Sequence, residues 1–280
     1  MFRACLVALL FAGVSASAMA AAPAGGAAIA TGLIAHRAVY DLELKDASER
    51  SGISGMSGRM VYEFDGNYCD GFRTNFRFVT KIETGDATRL SDQQTVTFEN
   101  LKDGKFSFDT KSFTDEQLDK EVTGAAEDRP DGVRVDLQQP ANKELQIGQT
   151  RFPTEHMLDV IRNAKEGKRF FEARVFDGSD DGDKAMATTT VVGRQEMPKT
   201  GEDDVKNVGQ FANTAFWPVT ISYFNENTKS DASPVYRMSF KLYENGITRD
   251  LTMDYGDFVL TGRLAKLELL DKNASSASCR

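Results

Sequence analysis

Two histidines, three cysteines and an excess of carboxylates are the raw material for chemistry in this 280-residue chain. A Ser-His-Asp triad or a zinc site would have to be built on His36 or His156. Neither lies at metal-ligand spacing from a cysteine or from the other histidine. His36 opens the first predicted strand and His156 falls in the first turn of a predicted helix, so both read as ordinary polar residues. Gly-x-Ser-x-Gly, P-loop and dinucleotide-binding patterns are absent from the sequence. Paired carboxylates, the equipment of a glycosidase, are plentiful, but nothing selects one pair over the rest and surface charge is the simpler reading. The expectation is a non-enzymatic protein with no catalytic residues and no cofactor.

One acidic run stands apart, Asp177-Gly178-Ser179-Asp180-Asp181-Gly182-Asp183. Asp177, Ser179 and Asp181 occupy the first, third and fifth positions of a calcium loop, Gly182 occupies the sixth, and Asp183 follows it. The twelfth position is Thr188 where such a loop needs a bidentate glutamate, and the flanks read as strands rather than helices. An acidic hairpin turn rich in residues that tolerate the left-handed conformation is therefore preferred to a weak calcium site.

The N-terminus reads as a secretory signal. Arg3 supplies a positive charge, residues 4–14 are apolar or small, and Ala16, Ala18 and Ala20 satisfy the small-residue rule for cleavage after Ala20. The apolar run is about eleven residues, short of the ~20 that a membrane-spanning helix requires. Cys5 lies far ahead of the cleavage site and leaves with the leader, so it does not supply the cysteine that lipid attachment needs just after the cut. The expected location is the periplasm. Removal of Arg3 takes the net charge from −8 to −9, a balance that argues against nucleic acid and against docking on anionic lipid.

Cys69 and Cys279 then remain. An even pair in an oxidising compartment is most simply a disulfide, with two unrelated thiols or an intermolecular bridge as the alternatives. An intramolecular bridge would close a loop of about 210 residues, for which chain entropy allows a ceiling of about 5 kcal/mol.

The elements around these residues are mostly strands. Period-2 alternation marks residues 37–44, 58–64, 72–80, 95–99, 105–112 and 133–137, then 169–176, 187–194, 214–224, 235–243, 248–255 and 258–270. Asp103-Gly104, Glu244-Asn245-Gly246 and Tyr255-Gly256-Asp257 supply tight turns, while residues 125–131 and 198–204 read as polar connections. One helix interrupts the strands, with Thr154 as its expected N-cap, Met157, Leu158, Ile161 and Ala164 on its apolar face and Gly167 as its end. A meander of a dozen or more strands must curl as its twist accumulates. The fold class is therefore mainly β, a single large curved antiparallel sheet with one packed α-helix, in one domain over residues 33–280 after a flexible segment 21–32. Phe72, Phe76, Phe78, Phe106, Phe108, Phe211, Phe216 and Trp217 are expected to fill its core, or else to line an apolar cleft on the concave side.

Residues 36–42 (HRAVYDL), the run 176–184 (FDGSDDGDK) and the pair Cys69 and Cys279 together resemble the EipB-like cell-envelope integrity proteins of the proteobacterial periplasm. The resemblance extends from about Leu33 to Arg280. It implies an unclosed β-barrel or β-spiral with a helix, tied by a Cys69–Cys279 disulfide, and a role in envelope integrity under stress. It further implies binding or scaffolding, with a periplasmic tetratricopeptide-repeat protein as the partner class, and it brings no enzymatic activity. A carrier or sensor of a lipid or other apolar ligand is the second functional reading. Replacing either Cys69 or Cys279 with serine is expected to lower the melting temperature and expose the C-terminal tail to protease. Unchanged melting in both variants would count against a structural bridge.

Overall fold

The computed structural model describes residue 30 and residues 32–85, 87–199, 201–225 and 233–270. The predicted leader and Cys279 lie outside them. Fourteen strands form one antiparallel sheet. The first eight are β1 (His36–Ala47), β2 (Ile53–Asn67), β3 (Gly71–Thr84), β4 (Ala87–Asn100), β5 (Lys105–Thr114), β6 (Gln117–Arg129), β7 (Gly132–Gln139) and β8 (Lys143–Ile147). Helix α1 (Pro153–Lys165) follows, then β9 (Phe170–Val175), β10 (Met186–Val192), β11 (Phe216–Asn225), β12 (Tyr236–Tyr243), β13 (Thr248–Asp254) and β14 (Phe258–Leu269).

Every neighbouring pair in the sheet is consecutive in sequence except one, β1 with β14. β1 is thus the seam. It pairs with β2 from His36 opposite Phe64 to Glu43 opposite Ser57, and with β14 from His36 opposite Leu269 to Ala47 opposite Phe258. The two edges of the sheet are β8 and β9. They are successive strands, and α1 lies in the connection between them. The connection that follows β8 touches β9 at an isolated parallel bridge, where the Arg151 N–H donates to Arg174 O (2.8 Å) and Arg151 O accepts the Phe176 N–H (2.9 Å). That isolated bridge leaves the sheet unclosed.

Tight turns produce the meander. Asp115 (φ 50°) and Glu116 (φ 68°) both adopt the left-handed conformation between β5 and β6, a turn whose twist suits a two-residue hairpin. Residues 125–129, expected as a connection, belong to β6, and only Pro130 and Asp131 form the turn. The alternation is there, with Val122, Gly124 and Ala126 buried, but Gly and Ala carry too little hydropathy for it to register. The helix also begins earlier than expected. Phe152 is its N-cap (φ −84°, ψ 165°) and Pro153 takes the first helical position, where its missing N–H costs nothing, so Thr154 lies inside the first turn.

Buried side chains form three clusters. One joins α1 to the sheet through Leu158, Val160, Ile161 and Ala164 against Phe64, Phe72, Trp217, Val219, Ile221 and Leu242, with Ala30 and Leu33 added from the N-terminal side. The second surrounds the seam, with Tyr40, Leu42, Met60, Leu251, Leu260 and Leu264. The third fills the β5–β7 end with Phe106, Phe108, Val135, Phe152 and Phe176.

The third cluster accounts for the glycines of the acidic run. Gly178 (φ 70°) and Gly182 (φ 67°) lay bare backbone on the Phe108 ring. A Cβ on Gly178 would fall 2.4 Å from the ring, and one on Gly182 would fall 2.8 Å from Leu137 and 2.9 Å from Val122. Gly124 of β6 faces the same ring from the sheet, where a Cβ would fall 2.7 Å from it. Gly178→Ala is therefore expected to cost about 2–4 kcal/mol, the sum of a left-handed alanine and overpacking. Gly256→Ala, at φ 86° with nothing within 4 Å, should cost only about 1–2 kcal/mol. Urea unfolding midpoints measure both, and equal losses would refute the packing account.

Candidate functional site

Between α1 and the concave face lies a cavity of about 270 Å³. Tyr40 of β1, Met60 and Tyr62 of β2 and Phe76 of β3 wall it on one side, and Ile221 and Tyr223 of β11 with Met238 and Phe240 of β12 wall it on the other. Pro153, His156, Met157 and Val160 roof it from the helix, and Val175 and Asp177 border it beside β9. These strands supply their side chains at alternate positions, as a concave sheet face must. Of the aromatic residues expected to form a cleft, only Phe76 lines this one. Phe72 and Trp217 pack beneath the helix, Phe78, Phe211 and Phe216 pack around the seam, and Phe106 and Phe108 pack in the third cluster. Sequence reasoning missed the tyrosines and methionines that form most of the wall. The available signal was their pairing at period two, Met60 with Tyr62 and Met238 with Phe240.

The roof is held by a carboxylate from the sheet. Glu99, near the end of β4 and 2% exposed, accepts the N–H groups of Thr154 (2.7 Å) and Glu155 (2.9 Å). These are first-turn donors that no helical carbonyl can satisfy. Burial pushes the Glu99 carboxyl up to about 7, and the two helix N–H bonds work against that rise. Glu155 accepts the Phe152 N–H (3.2 Å), and burial raises its carboxyl too. At the far end of α1, Lys165 pairs with Glu244 in the β12–β13 turn.

The two histidines occupy different surroundings. His36 Nδ1 donates to Ile34 O (2.7 Å), its ring lies against Tyr62 and Phe64, and burial lowers its pKa. His156 lies edge-on to Phe171, and burial takes its pKa down to about 4, so the imidazole is neutral at physiological pH. Its Nε2 is buried without a hydrogen-bond partner among the described residues. The tyrosines differ in the same way. Tyr40 donates to Thr248 O (2.8 Å), and Tyr62, hydrogen-bonded to Thr74, is pushed up to about 12 by burial. Burial and the nearby Asp177 raise Tyr223.

The acidic turn spreads its carboxylates. Asp177 accepts the Ser179 N–H (2.9 Å), Asp181 pairs with Lys120 (2.8 Å) and Asp180 with Lys184 (3.2 Å). Among the described residues, no three His, Cys, Asp or Glu side chains, Asp183 included, gather as a metal site would require. Cys69 lies in the β2–β3 turn, where its N–H donates to Asn67 Oδ1 (2.8 Å).

A second buried charge group lies under the seam. The fully buried Arg249 meets Asp204 (2.9 Å) and Glu202 (2.7 Å), donates to the Tyr243 hydroxyl (2.9 Å) and sits over the Phe216 ring. Burial alone would raise Glu202, but Lys241, Arg249 and the Lys199 N–H together hold it down to about 2. Two carboxylates locked to one guanidinium form a structural knot rather than a general acid–base pair.

An antiparallel sheet of fourteen strands, unclosed and carrying a helix over an apolar hollow, defines a beta-barrel-like architecture. The chain belongs to the EipB-like family, whose profile matches residues 27–271. It is 47% identical over 259 residues to the cell envelope integrity protein EipB of Brucella abortus, covering 92% of each chain. It is also similar to a crystal structure from Brucella abortus, a beta-barrel-like protein of a domain of unknown function. The TM-score is 0.83 at 48% identity, over 85% of this chain and 99% of that one. The family is named for envelope integrity and not for an enzymatic activity. Among the described residues, no helix is long and apolar enough to cross a membrane.

Glu99 sets a testable pH dependence. Its folded pKa stands above the ordinary value of 4.5, so the stability its proton supplies is complete below about 4.5 and is lost as pH rises through about 7. Relative to Glu99→Gln, the wild-type protein should lose up to about 3 kcal/mol across that window. Chemical denaturation at several pH values measures it, and parallel curves would refute it. Glu99→Ala, which leaves two helix N–H groups unpaired, should cost about 2–4 kcal/mol below about pH 4.5, where the contribution of the Glu99 proton is complete, and less as pH rises through about 7.

Proposed function

We propose that this chain is a periplasmic, non-enzymatic factor that supports envelope integrity and stress resistance by binding a protein partner. The observation that carries this reading is the free edge of the sheet at β9. Phe170 is 58% exposed, and its cross-strand neighbour Val191 on β10 is 50% exposed. An unpaired strand edge beside an apolar pair is a ready template for an extended segment or an apolar helix. A tetratricopeptide-repeat protein is the partner class proposed. In the same proposal, a Cys69–Cys279 bridge fastens the C-terminal tail to the β2–β3 turn.

The double variant Phe170→Asp with Val191→Lys should keep its melting temperature, because both side chains are exposed. It should fail to restore detergent resistance to a strain lacking the gene. Full complementation by a stably accumulated variant would overturn the edge as the binding surface.

The cavity favours a second reading, that of a carrier or sensor of an apolar ligand held between α1 and the sheet.

A further inference from the structure

We infer that the occupant of the cavity under α1 is a single apolar chain with an uncharged, hydrogen-bonding head, such as a neutral monoacyl lipid, and not a fatty-acid anion. This rests on the apolar-ligand reading above. Size sets the first limit. The 270 Å³ of space equals about nine water-sized volumes, and a methylene group is of similar size, so one chain of moderate length fills it.

Charge sets the second limit. Among the described residues no lysine or arginine lines the cavity, and the one carboxylate on its wall is Asp177. His156 adds no positive charge, because its buried imidazole is neutral at physiological pH. A carboxylate head would be stripped of water, left unpaired and repelled by Asp177.

The third limit comes from two polar groups on the wall. His156, 5% exposed, lines the cavity, and its Nε2 has no hydrogen-bond partner among the described residues. The half-buried Tyr223 brings a phenol to the same wall, near Asp177. Tyr40, by contrast, is already satisfied by Thr248, and Tyr62 by Thr74. A neutral imidazole and a phenol can donate to or accept from an ester or hydroxyl, which repays the cost of burying the imidazole unpaired. The chain supplies affinity and the head supplies orientation.

Isothermal titration of the mature protein with monodecanoylglycerol, decanoate, decylamine and decane, each below its micelle concentration and at neutral pH, tests this. Monodecanoylglycerol is expected to bind at least about tenfold more tightly than decanoate. Tyr223→Phe, which keeps the ring, should cut its affinity about five- to tenfold while leaving decane unaffected. Decanoate binding as tightly as the glyceride would overturn the neutral head and leave the apolar-ligand reading standing. Tightest binding by decylamine would overturn it in favour of a cationic head paired with Asp177. If none of the four probes binds, decane included, the apolar-ligand reading fails as well.

Discussion

A single carboxylate from the sheet, Glu99, captures the first turn of the helix between the two edge strands, and the arrangement of the concave side follows from that contact. The helix sits in the connection between the two edge strands, where nothing in the ladder of strand pairing fixes its position. Two N–H groups of its first turn point away from their own helix and must find acceptors. Glu99 is the acceptor the fold supplies, 55 residues earlier in the chain than Thr154. Apolar contacts from Leu158, Ile161 and Ala164 hold the helix down, but such contacts are non-directional and tolerate sliding. The hydrogen bonds set the register. The carboxylate resists burial, as its raised pKa records, so the contact contributes specificity of placement more than net stability.

An unclosed sheet makes that placement consequential. The N-terminal eight strands and the C-terminal six meet along the β1–β14 seam, and on the far side the connection after β8 reaches β9 through the Arg151 bridge. A closed barrel would have its diameter set by strand number and stagger. Here the gap between β8 and β9 is spanned by the connection that carries α1. The volume beneath the helix therefore depends on how the helix is seated, and 270 Å³ remains once Met157 and Val160 are in place. The buried Arg249 ties β13 to Glu202 and Asp204 of the preceding connection.

The acidic turn shows how a conspicuous motif can be conspicuous for its glycines. The carboxylates of Asp180 and Asp181 face solvent and lysines, whereas Gly178 and Gly182 press bare backbone onto Phe108. The aspartates keep the turn polar and favour its left-handed positions, as at Asp180 (φ 50°). The glycines let it lie flat on an aromatic core. Spacing alone makes the same residues look like part of a calcium loop.

The sequence by itself determined the strands, most of the turns, the presence of one helix and the curvature of the sheet, because these follow from local periodicity and accumulated twist. Residues 72–80 of β3 alternate as expected, and the hairpins after Tyr243 and Asp254 follow from Asn245-Gly246 and Gly256. Strand β6 was hidden, since its buried face is made of Val122, Gly124 and Ala126, too small to mark a period. Only the tertiary structure decided where the site is. It chose Tyr40, Met60, Tyr62, Tyr223 and Met238 for the cavity wall over most of the phenylalanines. It turned Glu99, one acidic residue among many, into the helix anchor, and it left His156 Nε2 without a partner. Those outcomes depend on contacts between residues 50 to 200 positions apart in the chain. Burial, charge and partnership at such distances are properties of the packed chain, and no local pattern of residue types carries them.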